Sequence, residues 1–269
     1  MQPPILTDAS ALARNRARAS TFFLHDSVVS EVQERLSEVN RSFTSPAIVT
    51  PFAQVWADCL PGARIVADTE VLDLTPGAHD LVIHAMCLHW ANDPLGQIIQ
   101  CRRALAPDGM FLGAALGGQT LAELRACLAQ AESSVTGGLS PRVLPMAEIR
   151  DLGGLLQRAG LALPVADGSV QRVSYASALH LMRDLRAMGE GNALAGRLRR
   201  PTRRVVLQDA CEVYAATYPD TPGRISATFE TIFLTGWAPH DSQPKPLRPG
   251  SAAQRLAEAL GAKETPLGD

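Results

Sequence analysis

The sequence predicts an α/β fold, a mainly parallel sheet flanked by helices, and three observations carry that prediction. Residues 80–116 read strand, helix, strand, with polar and Pro/Gly punctuation between apolar runs. Residues 8–43 place Val28, Val29, Val32, Leu36 and Val39 at roughly helical spacing, with Glu31, Glu34, Arg35 and Glu38 on the other face. A chain of 269 residues, 46% hydrophobic and 19% charged, is long enough for one such domain with helical additions and a substantial core.

The elements follow in order. After the N-terminal helical region, 47–50 is a first strand, 52–60 a short helix, Pro61-Gly62 a turn and 64–66 a second short strand. The run 80–85 is a third strand. Asp93 then caps a helix that tolerates Pro94 in its first turn, and Ile98, Ile99, Cys101 and Leu105 give it an apolar face. Pro107-Asp-Gly109 turns the chain into a strand over 110–116, and Thr120 with Glu123 three residues later reads as a capping box. Beyond the loop 137–141 the spacing predicts a helix over 146–159 closed by Gly160, a strand over 170–175, helices over 176–188 and 202–217, and a long β run over 223–235. The expected organisation is a single domain: an N-terminal helical cap (1–45), an α/β core (46–135), further helices and the final strands (136–238), and an extended tail (239–269) rich in Pro, Gly and Ser.

Composition narrows the function classes. A formal charge of −2 argues against broad binding to nucleic acid or anionic membranes. Five scattered cysteines, odd in number and without a CxxC pair, fit reduced thiols in a cytoplasmic protein. No apolar run reaches the length of a membrane span, and the first 25 residues carry Arg14, Arg16 and Arg18 without the apolar core of a secretory signal. His, Cys and acidic residues show no metal-ligand spacing.

The segment 80–125 resembles the C-terminal half of the catalytic domain of class I S-adenosylmethionine (SAM) dependent methyltransferases. Longer motifs sharpen the resemblance: Leu88-His-Trp-x-Asn-Asp93, Gly117-Gly-x-Thr-Leu-x-Glu-Leu-Arg125, Ser140-Pro141, Asp151-Leu-Gly-x-Leu-Leu-x-Arg-Ala-Gly160, Met182-x-Asp-Leu-x-x-Met-Gly189 and Gly236-Trp-x-x-His-x-Ser-Gln243. Together they are similar to one subgroup, that of the mitochondrial complex I assembly factor of the arginine-hydroxylase type and its alphaproteobacterial relatives. The malonyl carrier-protein methyltransferase of biotin synthesis is a more distant cousin. The resemblance implies a Rossmann-like methyltransferase fold with a helical insertion after the fifth strand, SAM as cofactor, a respiratory-complex subunit as protein partner, and a bacterial cytoplasmic location.

The cofactor half departs from that pattern. The family's first strand enters a glycine loop that lets backbone approach SAM; here the corresponding stretch is Ile48-Val-Thr-Pro-Phe-Ala-Gln-Val-Trp56, with no glycine, Pro51 lacking an N–H and Phe52 adding bulk. Between Thr50 and Arg64 there is room for one short helix and a turn, so the strand that ends in the ribose-binding acid is expected to be absent and the sheet reduced from seven strands. By the motif 67–72, Asp68 and Thr69 match the adenine-reading turn, and His89 lies by resemblance beside the methionine end of the cofactor, a candidate general base. Three functions remain open: a non-catalytic or divergent assembly or scaffold factor, an active methyltransferase or arginine hydroxylase with a rebuilt cofactor site, and a binder of another small ligand in the cleft. The late-motif residues Arg125, Arg158, Met188, Trp237, His240 and Ser242 are expected to belong to a partner-binding face.

Overall fold

Runs of apolar residues without polar alternation make strands that are covered on both faces, and the centre of the sheet is built from them. In a computed structural model, which describes residues 5–244, β1 (Pro46–Val49) is buried throughout and β3 (His79–Ala85) almost so. The described residues form a six-stranded sheet in the order β2-β1-β3-β4-β6-β5, in which β2 is Arg64–Val66, β4 Leu105–Leu116, β5 Ala162–Tyr175 and β6 Ile225–Trp237. The pairs β2/β1, β1/β3 and β3/β4 are parallel, whereas β6 runs antiparallel to both β4 and β5.

Because side chains alternate across a strand, Ile48, Leu81, Ile83 and Leu112 face one layer and Ala47, Val49, Val82 and Phe111 the other. The first layer holds α2 (Phe23–Glu38), α3 (Ala53–Trp56), α5 (Ala122–Thr136), α7 (Ala178–Ala187) and α8 (Arg204–Thr217). The second holds α4 (Pro94–Ala104) and α6 (Ile149–Arg158), through Ile98, Cys101, Leu152 and Leu156. A third, small cluster joins α1 (Ala9–Arg16) to Trp90, Leu144 and Leu194.

The connection between β1 and β2 is a single four-residue helix, and the sheet ends at β2, so the expected reduction is present. Asp93 Oδ1 accepts the Gly96 N–H and Pro94 opens α4; Gly160 closes α6 at φ +78°, a conformation open to glycine at little cost.

Several boundaries differ from the sequence reading. The N-terminal helical region breaks between α1 and α2, because the Ser20 and Thr21 amides bond the Ala187 carbonyl at the end of α7. The helix expected over 52–60 is four residues long, and β5 begins eight residues earlier than its alternating half suggested. The capping box is replaced by sheet contacts. Thr120 Oγ1 donates to the Glu230 carbonyl and accepts the Glu230 N–H, Glu123 accepts from Thr228, and α5 starts after Leu121 with no side-chain cap. Residues from His240 onward cluster separately from the rest; of the expected tail, 239–244 are described and 245–269 lie outside the described residues.

Candidate functional site

In open α/β sheets ligands gather beyond the carboxyl ends of the parallel strands, and the segments that follow β2 and β3 contribute to the walls of two cavities, of about 810 and about 490 Å³. Trp90 forms part of the wall of both.

The larger cavity lies between α1 and the segment after β2. Its centre is an ion pair: Arg16 Nη1 donates to Asp68 Oδ2 at 2.7 Å, with the two side chains 13% and 14% exposed. Arg16 Nε and Nη2 are buried without a partner. Thr69 turns its hydroxyl back to the Val71 carbonyl and leaves its own carbonyl to Gln97 Nε2. Gln97 Oε1 in turn meets His84 Nε2 at 3.2 Å, tying α4 and β3 to the turn after β2. Burial lowers the pKa of His84 and pushes the Cys87 thiol well above its ordinary value, so Cys87 stays protonated and is a poor nucleophile.

The exit of β1 is filled by rings. Phe52 is buried, with its N–H on Thr50 Oγ1, and packs edge-on against Phe22 and His25 at 5.0 Å each. Gly189, at φ +83°, permits the end of α7 to close on this group: a Cβ there would stand 3.2 Å from the Arg16 Cα and 3.3 Å from the Phe52 ring.

The third cluster joins His89, Trp90 and Glu190. Trp90 Nε1 donates to Glu190 Oε2 at 2.7 Å, and His89 Nε2 stands 3.5 Å from the same oxygen. His89 Nδ1 accepts the Leu116 N–H, which places the proton of the neutral ring on Nε2, toward Glu190. Burial alone would raise the Glu190 pKa; the adjacent His89, the Trp90 hydrogen bond and the nearby Arg16 charge outweigh it and hold the carboxyl below its ordinary range. The His89 side chain is 1% exposed, with Nδ1 on the Leu116 amide and Nε2 buried beside Glu190 without a hydrogen-bond partner.

The sequence-derived candidates therefore separate. Asp68 and Thr69 line the larger cavity, but Asp68 is held by Arg16 and Thr69 bonds its own loop. His89 sits behind Trp90, against Glu190. Of the late-motif residues, Met188 is core, Arg125 ties α5 to the Leu144 carbonyl, Arg158 is exposed on α6, and Trp237 is half-buried beneath the Arg41 guanidinium. They do not share one face. His240 Nδ1 and Ser242 Oγ are 2.7 Å apart within the separate C-terminal unit. Sequence reasoning missed Arg16, Gln97 and Glu190. The last directly follows the motif ending in Gly189, where an acid after a helix end was the available signal. Among the described residues no group of three His, Cys, Asp or Glu is placed to hold a metal ion, and no helix is long and apolar enough to cross a membrane.

Strand order and cleft position define a class I SAM-dependent methyltransferase-type fold. The methyltransferase domain family model matches residues 24–113. A Bacillus halodurans protein assigned as a methyltransferase superposes with a TM-score of 0.50 at 11% identity, covering 79% of this chain and 99% of that one, a likeness of fold alone. Within this class the chain belongs to the family of the mitochondrial arginine-hydroxylase NDUFAF5. The zebrafish (Danio rerio) member is 36% identical over 231 residues, which are 85% of this chain and 72% of that protein. The chain spans 57 to 60% of the mammalian relatives' length. A malonyl-[acyl-carrier protein] O-methyltransferase of Laribacter hongkongensis is 36% identical over 177 residues, 66% of this chain and 57% of that enzyme.

Proposed function

We propose that this chain is a divergent member of the arginine-hydroxylase family that does not use SAM in the family's manner. It acts in the bacterial cytoplasm as an assembly or scaffold factor for a respiratory complex, recognising an arginine-bearing segment of a subunit. The observation that carries the reading is the Arg16–Asp68 ion pair. It engages the one acid that matches an adenine-reading position with a guanidinium from the chain's own N-terminal helix. Two further features support it. The exit of β1 presents Pro51 and the buried Phe52 instead of bare glycine backbone, and the only parallel neighbour of β1 on that side is the three-residue β2. The residues present therefore fit SAM poorly. The family relationship and the chamber that Trp90 borders support binding of a partner.

Each hydrogen bond that SAM cannot form weakens it by roughly 1 kcal/mol, about fivefold in affinity. Calorimetric titration of SAM into the purified protein is expected to give no saturable heat at submillimolar concentrations. A micromolar dissociation constant overturns the reading and restores a SAM-dependent enzyme.

A further inference from the structure

The 490 Å³ chamber has the size and apolar character of a small-ligand site. Leu116, Leu121, Leu124, Leu128, Leu185 and Phe229 supply hydrocarbon, from β4, α5, α7 and β6. Into this wall projects one carboxylate, Glu190, whose side chain is 11% exposed. Its Oε2 is engaged by the Trp90 indole and faced by His89, whereas no donor of the described residues is seated on Oε1. Three arginines also line the chamber, but Arg142 is paired with Glu132 and Arg197 with Asp8, while Arg186 is exposed on α7.

We infer that Glu190 is the specificity-determining residue of this chamber, reading a guanidinium carried on a hydrocarbon stem. The inference rests on the partner-binding reading and assigns that recognition to a particular site. An anionic oxygen facing an apolar space selects a cation, because a neutral group leaves it without a partner and an anion repels it. The leucines take the stem. Between the two common cations of protein side chains, a guanidinium suits this seat better. It is planar, more weakly hydrated than an ammonium, and able to lie against the Trp90 ring while donating in its own plane to Oε1. The carboxylate is fixed before any ligand arrives by Trp90, with His89 behind it, and both positioning residues lie in the turn after β3. Phrased chemically, the partner presents an arginine whose aliphatic portion enters the chamber and whose charge stops at Glu190.

The test needs no identified partner. n-Butylguanidinium, n-butylammonium, neutral n-butylurea and anionic hexanoate are titrated separately into isotopically labelled whole protein. The readout is the indole N–H signal of Trp90, assigned with Trp90→Phe. n-Butylguanidinium is expected to shift that signal saturably and to bind about tenfold more tightly than n-butylurea. Glu190→Gln, which keeps an acceptor for the indole, is expected to abolish the preference while leaving the melting temperature near that of wild type. Equal binding of the guanidinium and the urea by wild-type protein, or stronger binding of hexanoate, overturns the assignment whether or not the variant folds. An unchanged preference in a folded Glu190→Gln protein overturns it as well. SAM titration reads the cavity that Asp68 lines, so the loss of SAM use and the guanidinium preference at Glu190 fail separately.

Discussion

Glu132 illustrates how much one side chain organises here. It lies on α5, 6% exposed, and accepts from the Ser140 amide and hydroxyl and from Arg142 Nε and Nη2. Arg142 Nη1 continues to Thr202 Oγ1, so one carboxylate joins α5 to the segments preceding α6 and α8. The Arg142 guanidinium, aided by Ser140, holds the carboxyl at about 2 against an ordinary 4.5. A depressed carboxyl stabilises the fold above its unfolded pKa and loses that contribution as the pH falls, here between about 4.5 and about 2. Glu132→Gln is expected to lower stability at neutral pH by on the order of 2 kcal/mol, because Arg142 loses its charged partner and an amide NH2 replaces one of the two accepting oxygens. Denaturant unfolding at stepped pH should show the gap to wild type closing below about 4.5; a gap of constant size contradicts the assignment. At this scale the sequence was partly legible. Asp68 stood out by its motif, whereas its partner Arg16 did not, since an ion pair across 52 positions depends on a chain break that no local pattern announces.

Between elements, junctions decide which sequence signals are obeyed. Asp93 and Pro94 form a cap that local chemistry alone dictates, and the structure keeps it. Thr120 and Glu123 carry an equally good local signature, yet both side chains face β6, where strand backbone offers partners that a helix terminus would otherwise supply. Two substitutions separate these roles. Asp93→Ala is expected to cost about 1 kcal/mol, the loss of one exposed cap. Thr120→Val preserves shape but leaves the Glu230 N–H and carbonyl without the buried hydroxyl, a loss of about 2 kcal/mol. Urea melts of the two variants check the order; a harmless Thr120→Val contradicts a stabilising role for the hydroxyl bonds to Glu230. Strand β5 was legible only where it alternates, over 170–175. Its first half pairs with the end of β6, and partner strands lie too far apart in sequence for periodicity to reveal them.

For the molecule as a whole, the layers on the two faces of the sheet leave its sulfur chemistry quiet. All five cysteines are free, four of them buried and Cys211 half-buried. Burial pushes Cys59 and Cys127 up to about 11, and Cys87, Cys101 and Cys211 also above their ordinary value. Thiolate is the reactive form, so at pH 8 the folded protein should resist iodoacetamide, with Cys211 reacting first and the other four only on unfolding. Mass spectrometry of labelled peptides counts them; rapid modification of Cys87 in the folded state would contradict this packing. The overall architecture was readable because apolar runs, caps and turns repeat a simple grammar over 80–116. The cleft's contents were less so, because they come from α1, the turn after β2, the end of β3 and the segment after α7, which meet only in three dimensions.

The guanidinium of Arg16 makes Asp68 a site with a resident competitor. An outside group seeking that carboxylate contends with one tethered to the same chain, at an effective concentration of roughly millimolar. That local concentration is set by the geometry of the connecting segment and not by how much protein is present. Dilution, which empties an ordinary binding site, leaves this one filled.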